Sequence, residues 1–292
     1  MINKQINKDS LQRFIFDTAP VRGEFIHLEN SFQEIAAQHS YPEPLRQLLG
    51  EALCVAGLLR ATLKFDGRLS VQFNGEGKLR FLLVQCDQEF NLRGLAKWDG
   101  ELSQDELMQS LKDGTIAITL DSSPANRYQG IVNFRDNSLA KSIEGYFELS
   151  EQLPTKIYLG VNENSAVGLL LQVLPDKNPD ENAWQRISTQ ADDLTESELL
   201  DNHYEDLLNQ RFPEDEIRIF PHADMSFKCT CSSKRGEEAI LILGRDDAEA
   251  ELNENQTLVV TCDFCNQQYV YTRNEVTYIF ENQYPPQSET RH

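Results

Sequence analysis

Two close pairs of thiols are the groups in this 292-residue chain best placed to do chemistry: Cys229 and Cys231 in "FKCTCSSK", and Cys262 and Cys265 in "TCDFCNQQY". Thirty residues separate the pairs. Side chains two apart in an extended segment face the same way, so Cys229 and Cys231 can reach one ion together, and a turn at Asp263 and Phe264 does the same for the second pair. The pattern predicts four thiolates around one tetrahedral Zn2+ ion. His222 is near enough in sequence to be weighed as a ligand, but four cysteines already fill the shell. Cys54, in an apolar helical stretch, and Cys86, after "FLLVQ", read as ordinary core or near-surface residues.

Such a site admits two roles. As a staple it would supply folding energy to a short, weakly apolar C-terminal segment, since structural zinc contributes on the order of 10 kcal/mol. As a sensor it would exploit thiolate chemistry, because a strong oxidant can carry bound thiolates through sulfenic acid to disulfides and so destroy the ligand set. Each cysteine has a resolving partner next door. An extended C-x-C spans about 6.6 Å between Cα atoms, near the outer limit for a disulfide, so a bond there would be readily reducible.

The elements that must position these thiols follow from composition. Length and apolar content predict two domains, one with a substantial core and a smaller second unit. Residues 1–175 read as a mixed α/β core domain of α+β class: "RLSVQFNGEGKLRFLLVQ" alternates Leu69, Val71 and Phe73, turns at Asn74 to Gly77, and alternates again at Leu79, Phe81 and Leu83. Further strands are expected in "TIAITLD", "RYQGIVNF", "TKIYLGV" and "VGLLLQVLP", and a packed helix in "PEPLRQLLGEALCVAGLLRATLKF". Residues 229–292 form the expected four-cysteine zinc-binding domain.

Between them, residues 176–228 read as an acidic helical linker with 14 acidic and 5 basic residues. Asn178 as cap, Pro179 at the first helical position and Glu181 predict one helix, with Trp184, Ile187, Ala191 and Leu194 on one face. Thr195 and Glu198 make a capping-box pattern for a second, striped by Leu200, Tyr204, Leu207 or Leu208, and Phe212. Short acidic helices with a narrow apolar stripe are marginal alone, so their order should depend on what they pack against. No internal repeat or low-complexity tract is present.

Charge and motifs exclude several classes. A formal net charge of -20 opposes phosphate backbones, and residues 229–292 carry 5 basic against 11 acidic residues, so a nucleic-acid-binding zinc module is not expected. No G-x-x-x-x-G-K-[ST] loop appears, which gives no support to ATP use. A thiol-disulfide oxidoreductase is the enzymatic alternative, but its C-x-x-C belongs after a strand at a helix start, with no second thiol pair. The chain is therefore read as a non-enzyme. Its N-terminus lacks a signal-peptide core and no apolar run would span a membrane, so a cytoplasmic location is expected, where six cysteines are better metal ligands or redox groups than permanent disulfides.

These residues carry a resemblance. "RFIFDTAPVRGEF", "ATLKFDGRLSVQFNGEG", "LRGLA", "RYQGIV", "YFELSEQLPTKI", "FKCTCS" and "CDFCN" make the chain similar, over nearly its whole length, to the heat shock protein 33 family, redox-regulated 33 kDa chaperonins of the bacterial cytoplasm. The resemblance implies zinc on Cys229, Cys231, Cys262 and Cys265 and an ATP-independent holdase that is inactive when reduced. It further implies that oxidative stress, especially with heat, forms the Cys229–Cys231 and Cys262–Cys265 disulfides, releases zinc, unfolds the C-terminal region and linker, and often yields a homodimer. That form would hold unfolding client proteins against aggregation. The alternative of a purely structural zinc module stays open.

Overall fold

The computed structural model describes residues 8–63, 65–112, 114–123, 126–175 and 181–283. The chain divides into two compact units between Lys228 and Cys229. In chain order the first unit contains β1 (Ser10–Phe16), β2 (Val21–Leu28), α1 (Asn30–Ala36), α2 (Glu43–Thr62), β3 (Arg68–Asn74), β4 (Leu79–Cys86), β5 (Asn91–Trp98) and α3 (Gln104–Lys112). There follow β6 (Thr115–Ser123), β7 (Asn126–Asn133), α4 (Leu139–Tyr146), a π-helical turn (Phe147–Glu151), β8 (Thr155–Val161) and β9 (Ala166–Val173). The unit ends with α5 (Glu181–Asp192), α6 (Glu196–Asp201), α7 (Tyr204–Arg211) and the short strands β10 (Ile217–Ile219), β11 (Ala223–Asp224) and β12 (Ser226–Phe227).

Two six-stranded sheets enclose α2. One runs β10-β1-β2-β9-β8, with β11 also on β1; the other runs β12-β5-β4-β3-β6-β7. α2 is apolar nearly all round, as a helix buried between two sheets must be, and Leu45, Leu49, Leu53 and Leu58 are fully enclosed. Pro42 precedes it in extended conformation and Leu63 ends it by returning to an extended one. Among the described residues no helix is long and apolar enough to cross a membrane.

The first sheet is buried on both faces, and its sequence shows why. Every residue of β9 is buried: Ala166 and Leu170 enter the core around α2, whereas Val167, Leu169 and Leu171 enter a second core on the opposite face. β2 divides likewise, sending Ile26 and Leu28 to α2 and Val21 and Phe25 outward. Phe14 and Phe16 of β1 join that outer core. Gly23 pairs directly with Phe14, and a Cβ on it would lie 2.1 Å from the Phe14 ring, so the aromatic side chain occupies the space a larger residue would need.

α5, α6 and α7 cover this outer face. Ile187, Ala191, Leu207, Leu208 and Phe212 are buried in the outer core, with Trp184, Leu194, Leu200 and Tyr204 packed at its edge. The stripe residues thus meet the sheet, but two details differ from the pattern. The second helix is broken: Asn202 is extended and His203 caps a new helix by accepting the Glu205 N–H, so α6 and α7 are separate and Leu199 rather than Leu200 is the buried residue of α6. The Thr195–Glu198 capping box is formed. Asn178 and Pro179 lie outside the described residues, as does the side chain of Glu181.

A second difference lies in β4. The hairpin of β3 and β4 forms, and Leu69, Val71 and Phe73 are buried. Beyond Leu79, however, the buried residues are Leu82, Val84 and Cys86, while Phe81 and Leu83 are half-buried. An irregularity between Leu79 and Phe81 inserts Arg80 as an extra residue opposite β5, and one inserted residue reverses the phase of all that follow.

The second unit contains α8 (Ser233–Leu243), α9 (Arg245–Asn255), β13 (Thr257–Thr261), β14 (Gln268–Thr272) and α10 (Arg273–Gln283). Among the described residues its core is eight buried ones: Ile240, Ala248, Leu252, Leu258, Tyr271, Val276, Ile279 and Phe280. The first unit is held by far more apolar burial. A core of eight is near the lower limit for independent folding.

Candidate metal centre

The four cysteines of the second unit come together. Their sulfurs all lie within 4.8 Å of one another, and no other group of this kind occurs among the described residues. Cys229 Sγ is 3.6 Å from Cys262 Sγ, and Cys231 Sγ is 3.5 Å from Cys265 Sγ. Zinc–thiolate bonds of about 2.3 Å would place sulfurs about 3.8 Å apart at the corners of a tetrahedron, so the cluster has the size such an ion requires.

Local structure explains the placement. Cys229 to Cys231 run without regular structure to Ser232, which caps α8 by accepting the Arg235 N–H. Arg235 also donates to Thr230 Oγ1 at 2.7 Å, tying the residue between the two thiols to the helix they precede. The second pair sits on the turn joining β13 to β14. Cys262 N–H donates to Gln267 O at 2.9 Å and Asn266 N–H to Cys262 O at 2.8 Å, with Asn266 in the left-handed region at φ 55°. The β13–β14 ladder, from Thr257↔Thr272 to Thr261↔Gln268, holds both ends of this turn.

The electrostatics describe a donor set that wants a cation. Burial pushes the Cys229 thiol up, and burial together with the neighbouring thiols raises Cys265 strongly. Cys231 is lowered: burial opposes ionisation, but hydrogen bonding from the Tyr269 hydroxyl, then from the other cysteines, outweighs it. Four thiolates this close coexist only when a positive ion lies among them. All four are half-buried, so solutes can reach them.

Tyr269 was not singled out by spacing. Its hydroxyl donates to Cys231 Sγ at 3.2 Å, which raises its own pKa to about 12, and its place four residues after Cys265 on a strand would have been the clue. Outer hydrogen bonds of this kind orient ligands and typically account for about 10–100-fold in metal affinity. Tyr269→Phe is therefore expected to weaken zinc retention by about tenfold in competition with a chromophoric chelator, with the far-UV spectrum of the loaded protein unchanged.

The remaining candidates are elsewhere. Cys54 and Cys86 are fully buried in the core around α2, where burial pushes both thiols up and leaves them inert. His222 belongs to the first unit and lies 3.4 Å from Asp224.

Fold and site together define a protein whose mixed α/β body is followed by a small unit bearing a four-thiol cluster able to hold a metal ion. The chain belongs to the Hsp33 family of chaperones: the family model described as Hsp33 protein matches residues 9–272. Relatives named 33 kDa chaperonin include one from Pseudomonas aeruginosa (strain UCBPP-PA14), 42% identical over 98% of this chain and 99% of the relative. Another, from Nitrosococcus oceani, is 38% identical over the same shares of each chain. The crystal structure of the Hsp33 homolog from Thermotoga maritima has the same fold, with a TM-score of 0.82 at 22% identity, covering 94% of this chain and 99% of that one.

Proposed function

We propose that this chain is a redox-regulated, ATP-independent holdase of the cytoplasm, switched on when its four metal-binding cysteines are oxidised. The observation that carries the reading is the placement of the only half-buried thiol cluster among the described residues in the unit with the smaller core. Cys229, Cys231, Cys262 and Cys265 are the ligands. Zn2+ bound there keeps all four sulfurs ionised and draws two separate segments of the unit together.

The steps follow from the residues. Half-buried thiolates react with peroxide at one sulfur to give a sulfenic acid, and a neighbouring thiolate displaces its hydroxide, which leaves as water on taking up a proton, to form a disulfide. Two equivalents of hydrogen peroxide convert four thiols to two disulfides and four waters. The shortest sulfur contacts run between the pairs, yet the proposed bonds are Cys229–Cys231 and Cys262–Cys265. Once the ligand set begins to fail, partners two and three residues apart remain near each other, whereas partners more than thirty apart separate with the fold.

As the family resemblance implies for the linker, the unfolding then extends to α5 to α7. These helices are short and acidic, and their stability comes from the sheet face they cover. Their release would bare Phe14, Phe16, Phe25, Val167, Leu169 and Leu171, a contiguous apolar surface suited to unfolding chains. The net charge of -20 would keep the open form soluble. Family resemblance supports a homodimer in the oxidised state.

Light scattering of a denatured client diluted into reduced, zinc-loaded protein, and into protein oxidised with peroxide at raised temperature, tests the reading. Suppression of aggregation by the oxidised sample alone is the expected result. Equal behaviour of the two would reduce the cluster to a structural staple.

A further inference from the structure

A cavity of about 470 Å3 lies beside the edge strand β8 of the first unit, lined from α2, α3 and α4 and from the covering helices. Its roof is Asp192, Leu194, Glu196 and Leu199, from the end of α5, the turn that follows it and α6. α2 forms another wall, on which Glu51 lines the cavity with no hydrogen bond or ion pair among the described residues.

The roof is fastened by polar contacts at its rim. Glu196 Oε1 accepts the Val161 N–H at 2.9 Å, and Gly160 allows this approach, since a Cβ there would stand 3.0 Å from Glu196 Cγ. Asp192 is held by Lys156 at 2.8 Å and by the Tyr158 hydroxyl at 3.3 Å. Of the other walls, α4 contributes Lys141, engaged by Glu144 at 2.9 Å, β8 contributes Tyr158, and α3 contributes the uncharged Gln104. Glu196 is therefore the charge left to act on Glu51. Two carboxyl groups, one on the body and one on the roof, face a shared cavity with no cation assigned to either.

We propose that seating of α6 on β8 is linked to a proton on Glu51: neutral Glu51 lets the roof close, and ionised Glu51 opposes Glu196 and favours opening. Burial raises the Glu51 pKa to about 7, and the Glu196 carboxylate adds to the rise. Lifting the roof rehydrates Glu51 and returns it toward 4.5, so the closed form binds more protons than the open one. The closed form is consequently favoured at low pH, and that preference is lost as pH rises from the open-state value through about 7. Acid holds the helices down, and alkali loosens them before any thiol is oxidised. The consequence for client capture rests on the holdase reading; the proton linkage itself does not.

Hydrogen exchange of residues 181–212 in the reduced, zinc-loaded full chain, corrected for chemical exchange, tests the linkage without reference to chaperone activity. Protection should fall on the order of tenfold between about pH 5.5 and 8.5, and Glu51→Gln should keep the acid level of protection throughout. Glu196→Gln retains an oxygen for the Val161 N–H while losing its charge, and should move the transition to lower pH. A flat wild-type profile, a pH dependence unchanged in Glu51→Gln, or a transition unmoved by Glu196→Gln would each overturn the proposal.

Discussion

Removing zinc from the reduced protein with a chelator is expected to unfold residues 229–283 while the two sheets around α2 stay folded. Among the described residues the second unit encloses eight apolar side chains, and its two thiol pairs lie on separate segments, ahead of α8 and between β13 and β14. In such a unit most of the metal-binding free energy is folding free energy, about 10 kcal/mol or more. A core this small cannot replace it. Hydrogen exchange read by mass spectrometry should show full loss of protection across α8 to α10 on chelation and full recovery on adding zinc back. Persistent protection of β13 and β14 without metal would mean that the thiols decorate a fold that stands by itself. The pH dependence has a defined sign: the ligands bind as thiolates, and Cys229 and Cys265 are harder than usual to ionise, so metal is released more readily as pH falls.

The second large effect is expected from Phe212→Ala. Phe212 ends α7, is buried, and meets Phe16 edge to face with ring centroids 5.1 Å apart. Truncating a buried phenylalanine costs about 3–5 kcal/mol. Helices of twelve, six and eight residues have little stability of their own to absorb that loss. What remains to hold them includes the Lys156–Asp192 pair at 2.8 Å, the Arg186–Asp215 pair at 2.7 Å, the Val161 N–H to Glu196 hydrogen bond at 2.9 Å and the rest of the apolar stripe. Reduced, fully zinc-loaded Phe212→Ala protein should bind an apolar dye and suppress client aggregation without oxidant. A variant that loses protection over residues 181–212 yet fails to hold clients would show that the bared sheet face is not where they bind.

The amino-acid sequence by itself determined the chemistry of the cysteines and the local form of many elements. The four-sulfur cluster was legible because a tetrahedral thiolate site needs four sulfurs, and two close pairs can supply them almost regardless of the intervening fold. The capping box of Thr195 and Glu198 was legible because its two hydrogen bonds are made within four residues. Strands β3, β6 and β8 were legible from β-rich runs bounded by turns. By contrast, β1 and β2 carry Gln12, Arg13, Arg22 and Glu24 among their apolar residues, and only their place in a sheet buried on both faces makes them strands.

Only the tertiary structure decided the rest. The bulge at Arg80 depends on pairing with β5, so the true buried set of β4 could not follow from alternation. The break at Asn202 and His203 lets Leu199 and Leu207 both reach the sheet, a demand set by the surface beneath and not by helix periodicity. Tyr269 reaches Cys231, and Glu51 shares a cavity with Glu196, across more than thirty residues of chain in each case. Chemistry fixed by residue type and short spacing is a local property that a sequence carries openly, whereas burial, register and charge proximity are properties of pairs that meet only when the chain has folded.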